Sequence, residues 1–239
     1  MAKNKLNNKQ KSLISKKQLK MRNRLIKKQF ARLSNAFRQL RAYIDENEQL
    51  FLPEIAYDTL KAELFFSLKK GMYETVEETC NFLTQIRGIP DDLIPAVKNK
   101  TLKKLSEKVI AEKVTDVTKT TKNIINKVIV KGQEQGLNIR DIAKEITKKV
   151  KGMEKKRAMV IARTETATTA TTTYHNGLVA AGFDKTWWHV GGGKTDREGH
   201  LACDGETIKA DEVFSCGLMH PHELGADPAE IINCHCELV

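Results

Sequence analysis

The chain has 239 residues and a mass of 27.0 kDa, with 40% hydrophobic and 30% charged residues and a mean hydropathy of −0.45. That length suits one large domain or a helical region beside a smaller one, and the composition is rich enough for a core. With no apolar run near the ~18 residues that a membrane span needs, a helical membrane protein is excluded and no membrane is required.

The formal net charge of +11, with a pI near 9.4, points to a polyanionic partner. Its distribution says more: residues 1–44 hold 14 Lys and Arg without one Asp or Glu, residues 45–183 sum to +4, and residues 184–239 sum to −7. The positive residues at the start are not followed by the apolar stretch of a secretory leader, so synthesis in a cytoplasm is expected.

In chain order, the segment to about Lys20 is rich in Lys, Asn and Gln and is expected to be disordered or only conditionally helical. Ile26, Phe30, Leu33, Phe37, Leu40 and Ile44 then step by four and three, the signature of an amphipathic helix. Lys16, Lys17, Lys20, Arg22, Arg24, Lys27, Lys28 and Arg32 are the candidate DNA contacts of this arm, residues 1–44. Such cations release condensed counterions from a phosphate backbone and hold it without reading bases.

Residues 45–152 read as a helical region. Leu60, Leu64 and Leu68 continue the helical period, Gly71 is expected to interrupt it, and Gly88, Pro90 and Pro95 mark a corner. A long helix is predicted over about 95–130, with Leu102, Leu105, Val109, Ile110, Val114, Val117, Thr121, Ile124 and Val128 forming a near-heptad seam. Gly132 and Gly136 end it. Asn138 then caps a short helix that buries Ile139, Ile142, Ile146 and Val150, and a further helix is predicted from near Glu154 to a C-cap at Gly182.

After Gly182 the pattern changes to strands and turns: Trp187 and Trp188, the Gly191–Gly193 run, and Asp204-Gly205, read as a hairpin between residues 200–203 and 207–208. One tryptophan should face inward and the other outward. The fold class is therefore α+β: an extended, mostly helical N-terminal region followed by a small β-containing C-terminal domain, residues 153–239.

Four of the five cysteines fall in the last 37 residues, a clustering that in a reducing compartment reads as metal binding before disulfides. Cys234 and Cys236 can present both sulfurs on one face of an extended strand. His200, Cys203, Cys216 and His220 are the available completions of a tetrahedral zinc site, and the favoured set is His200, Cys216, Cys234 and Cys236. A pair of ordinary buried thiols is the competing reading, because one residue between cysteines is closer than the usual spacing.

Arg163 and Glu165 of the segment ARTET, Trp187, Arg197 with His200, Asp204-Gly205 and the terminal INCHC occur in an order that resembles the phage Mu F-like minor head protein family, also termed phage head morphogenesis. The likeness covers about the last 100 residues and assigns Arg163, Glu165, Trp187, Arg197, His200 and Gly205 to the family pattern. His235 stands where the pattern has Arg. The resemblance implies a non-enzymatic protein of the virion, inside the capsid of a tailed bacteriophage and made in the bacterial host cytoplasm. There it would be recruited to the portal protein, touch phage DNA non-specifically, and assist head assembly or DNA delivery. By its charge, the basic arm would also be attracted to an acidic scaffold or major capsid surface, or to a membrane. The competing class is a metal-dependent nuclease built on the C-terminal His/Cys cluster, which would need an open metal position and a poised base.

Overall fold

A computed structural model describes residues 6–47, 51–190 and 196–239. The Gly191–Gly193 run and the first five residues of the arm lie outside them. In chain order the elements are α1 (Asn8–Asn47), α2 (Glu54–Arg87), a short 3-10 turn (Asp91–Leu93), α3 (Ile94–Lys104), α4 (Glu107–Glu134), α5 (Ile139–Ala181), β1 (Asp184–Trp188), α6 (Glu198–Ala202), β2 (Thr207–Lys209), α7 (Pro228–Ile231) and β3 (Glu237–Leu238). This is the expected α+β class. No helix among the described residues is long and apolar enough to cross a membrane.

Two compact units are each assembled from separated stretches: 1–26, 72–105 and 163–239 in the first, and 27–71 with 106–162 in the second. The second is all helical. Leu33, Phe37, Leu40 and Ile44 of α1 are buried as the period predicted, with Leu60 and Leu64 of α2, Ile125 of α4 and Ile146 of α5. Its ion pairs include Lys122–Glu54, and Arg38 and Arg41 on Glu154.

Several sequence expectations are corrected here. Helix α1 begins at Asn8, so residues 8–20 are helical: Ile14 and Met21 join the core of the first unit, and that burial supplies what propensity lacks. Gly71 lies inside α2, where a Cβ would meet Gln29 Oε1 at 1.9 Å. The glycine leaves room for the Gln29 amide, which donates to the Ser67 carbonyl at 3.1 Å. Packing thus overrides its helix penalty of about 1 kcal/mol.

The long helix expected over 95–130 is two helices. Leu105, buried, leaves helical geometry at ψ 38°, and Ser106 starts α4 as its N-cap with Glu107 in the first turn. Along α4 the buried positions are Ile110, Val114, Thr121, Ile125, Ile129 and Gly132, not Ile124 and Val128. A straight helix drifts ~20° per heptad, so the contact line follows a 3.6 period and leaves the heptad seam. The β-branched threonines on this helix return their hydroxyls to backbone carbonyls four residues back, as Thr121 does to Val117 at 2.8 Å.

The two helices predicted between 139 and 182 are one, α5, which runs through Gly152. Asn138 caps it as expected: its Oδ1 accepts from the Asp141 amide at 2.9 Å, while its Nδ2 donates to Asp141 Oδ2 at 2.8 Å. Ile139, however, is 54% exposed, being on the first turn, while Ile142, Ile146 and Val150 are buried. Gly182 ends the helix at φ +63°, with the Phe183 amide donating to the Leu178 carbonyl, the closing bond of a Schellman motif.

The sheet has the order β2-β1-β3, both pairs antiparallel. β2 pairs with β1 through Lys185↔Ile208, and β3 through Trp187↔Leu238. The expected hairpin at Asp204-Gly205 is therefore absent, since residues 198–202 are helical and β2 takes β1 as its partner. The core of the first unit combines Trp187, Phe214, Leu178, Leu83, Ile89 and Val97.

Candidate functional site

Trp187 sits on the central strand and is fully buried, while Trp188 is only partly so, the inward and outward alternation of a strand. The Trp187 ring meets His200 edge-on at 5.1 Å and Phe214 at 5.3 Å. Its amide donates to the Glu206 carbonyl, and its carbonyl accepts from the Gly205 amide at 2.9 Å. Gly205 takes φ +82°, a conformation that a side chain would strain, so the Asp-Gly pair is a turn that returns the chain to β1.

Helix α6 carries His200 beneath the tryptophan, 2% exposed. Arg197, its N-cap residue, donates from Nη2 to the Ile232 carbonyl at 2.7 Å and so fixes the stretch that precedes the terminal cysteines. Asp227 caps α7 by accepting from the Ala229 amide, and α7 presents Glu230, whose Oε2 lies 2.7 Å from His200 Nε2. The last residue locks to β1 through two backbone bonds between Val239 and Thr186.

These constraints converge. His200 Nδ1 stands 3.6 Å from Cys234 Sγ and 3.7 Å from Cys236 Sγ, and the three ligand atoms lie within 4.8 Å of one another. Among the described residues this is one group of ligand-type side chains, all buried. The Cys236 amide donates to Cys234 Sγ at 3.4 Å, and His189 Nδ1 lies 3.4 Å from Cys236 Sγ with its Nε2 facing Asp196. A hydrogen bond from Cys236 holds the Cys234 thiol well below the usual range, and the same contact with burial pushes Cys236 up. The contact with Cys234 raises His200, against burial.

Cys216, expected as the fourth ligand, is elsewhere. Its amide donates to Cys203 Sγ at 3.2 Å, and Ser215 Oγ lies 3.3 Å from the same sulfur. His220, another candidate, is fully buried against His175, with ring centres 4.9 Å apart, and burial brings it down to about 3. His222 belongs to the Cys/His-rich tail but is not among the expected completions, yet it stands beside Cys234 on one cleft with Arg163, Thr164 and Asn233. Only a left-handed backbone at His222 and Asn233, φ 58° and 57°, brings this about, and no residue pattern announces it.

Arg163 is exposed on that cleft, and Glu165 is partly buried on α5. Of the predicted DNA contacts, Lys16, Lys17, Lys20 and Arg24 of the first unit and Lys27 and Lys28 of the second are exposed, and Arg32 is partly buried. Arg24 pairs with Glu78. Arg22 is buried against Glu237 at 3.0 Å and is not available to a polyanion. Sequence reasoning also missed Lys185. Its side chain is buried in β1, its ammonium donates to the carbonyls of Glu212 and Met219, and it lies over the Phe214 ring. Burial lowers it to about 8.

Residues 123–239 match a family model described as Phage Mu protein F like protein. No curated protein and no solved structure matches the chain.

Proposed function

Through residues 123–239 the chain belongs to the Phage Mu protein F like family of phage head morphogenesis proteins, and from that premise we propose that it is a minor head protein housed inside the capsid. In this reading it is a structural component recruited to the portal protein, with a scaffold or major capsid surface as a further contact, and it assists assembly or delivery of the genome. One observation carries the structural character: Trp187, His200 and the terminal cysteines meet in one buried constellation, braced from its rim by Arg197 on the Ile232 carbonyl and by the Gly205 turn. His200, enclosed beneath Trp187 and held by Glu230, has the surroundings of a framework residue; a nucleolytic histidine must reach a phosphodiester.

The exposed cations of α1 give the DNA contact. In the first unit Lys16, Lys17 and Lys20 are exposed and off the buried stripe of α1, and in the second Lys27 and Lys28 are exposed. Residues 184–239 carry −7 and repel a polyanion. The binding is electrostatic and indifferent to sequence.

Mass spectrometry of purified capsids tests the placement, and absence from both procapsids and virions would end the proposal. For DNA, duplex affinity of the full chain is measured against salt. Replacing Lys16, Lys17 and Lys20 by alanine lowers the slope of log K against log[salt] by about 0.9 for every phosphate that is no longer neutralised. An unchanged slope would remove α1 from the interface. Metal-dependent cleavage of plasmid DNA that disappears in His200→Ala would favour the nuclease.

A further inference from the structure

The sequence offered Cys216 as the fourth member of a Cys/His site, and the fold takes it away. What remains is a trio of buried ligand atoms, His200 Nδ1, Cys234 Sγ and Cys236 Sγ, mutually within 4.8 Å. A three-residue group can be incidental packing, so the surroundings decide.

Three features of those surroundings are the ones a metal requires. First, His200 turns Nδ1 to the sulfurs while its Nε2 lies 2.7 Å from Glu230 Oε2, the carboxylate–histidine arrangement that orients a ligating imidazole and raises its basicity. Second, the Cys234 sulfur accepts the Cys236 amide, a donor that stabilises a thiolate. Third, His222, outside the 4.8 Å trio, is 2% exposed beside Cys234 on a left-handed backbone, and its ring nitrogens have no hydrogen-bond partner other than that sulfur. A buried imidazole whose partner is a thiol sulfur is poorly satisfied, and φ > 0 in a non-glycine residue adds strain, so both need compensation. His189 has the same kind of arrangement, with Asp196 on Nε2, but its Nδ1 faces Cys236 alone, whereas His200 faces both sulfurs; it is the rival for the fourth position.

We propose that Cys234, Cys236, His200 and His222 bind a single zinc ion, a structural site that goes beyond the head-morphogenesis reading and stands or falls separately from it. Two thiolates and two imidazoles are the donor set of a closed tetrahedral centre, and with four protein ligands no position is left for a substrate. Binding displaces the remaining thiol protons to solvent, so affinity falls with acid. The ion would tie three stretches together: α6, the loop at His222, and the terminal strand. The strands there are short, β2 and β3 spanning only three and two residues, so the ion would add to the packing around Trp187.

The full chain, purified without chelators, is assayed for zinc by elemental analysis, and about one ion per chain is expected. Cys234→Ser, Cys236→Ser and His222→Ala each lower retention at least tenfold, and Glu230→Gln weakens affinity about 10–100-fold. Cys216→Ser and His189→Ala retain the metal. Should the ligand variants fail to fold, cobalt(II) loaded into the unaltered chain still reads the site through tetrahedral d–d bands with thiolate charge-transfer absorption. No zinc in the unaltered chain, a cobalt spectrum without thiolate bands, or a Cys234–Cys236 disulfide in freshly isolated protein would overturn the site. Loss of metal in His189→Ala with retention in His222→Ala would overturn the fourth ligand.

Discussion

The two compact units solve the problem of a core by different means. In the all-helical unit of residues 27–71 and 106–162, aliphatic and aromatic side chains at helical spacing make most of the core, with a few buried polar groups such as Gln29, Thr121 and Glu154. Ion pairs such as Lys69–Glu107 and Lys122–Glu54 are exposed and worth little each. The other unit encloses a lysine, an Arg–Glu pair, four histidines, several cysteines and a run of threonines on α5 beside Trp187 and Phe214. A core of the first kind is specified by periodicity and tolerates exchange of similar residues. The second kind depends on each polar atom meeting a particular partner, so its tolerance is narrow and its stability is concentrated in a few positions.

The largest difference is expected at the aromatic centre. Trp187→Ala should cost about 3–5 kcal/mol and abolish the near-ultraviolet dichroism of its unit; Ile146→Val in the helical unit should cost about 0.5–1.5 kcal/mol, both measured by denaturant unfolding. Equal losses would erase the contrast. Arg22→Ala removes one half of a buried pair and should cost about 3–5 kcal/mol. Lys20→Ala, two positions away on the exposed face of the same helix, should stay within about 0.5 kcal/mol. A neutral Arg22→Ala would return Arg22 to the cations open to DNA. Lys185→Met leaves the carbonyls of Glu212 and Met219 without their donor and should cost about 1–3 kcal/mol.

A smaller and more diagnostic effect comes from pH. His175 of α5 is buried with Nδ1 unpartnered, and burial, aided by His220, brings it down to about 2 from 6.5. Between those values the unfolded chain binds a proton that the folded chain refuses, so this contribution is complete above pH 6.5 and declines progressively on acidification. Its slope approaches about 1.4 kcal/mol per pH unit. His175→Phe should flatten that acid limb, and an unchanged slope would show that other groups govern it.

Much of this architecture is legible in residue patterns. The apolar stripe of α1, the Asn138 and Gly182 caps, the inward Trp187 and the ordered motif residues all follow from local rules: periodicity, capping chemistry and the two faces of a strand. Local rules fail where packing overrides propensity. Residues 8–20 fold because Ile14 and Met21 are buried, Gly71 stays helical because Gln29 needs its space, and α5 passes through Gly152 because it is buried on either side.

What the sequence by itself determined is the α+β class, the separation of basic from acidic segments, and the Trp/Cys/His cluster as the place to look; these depend on which residues are near one another along the chain. Only the tertiary structure chose among chemically equivalent side chains: Cys216 to Cys203, His220 to His175, Arg22 to Glu237, and His222 to Cys234. Identical functional groups carry identical information until a backbone angle and a buried partner distinguish them, and both are properties of the folded chain.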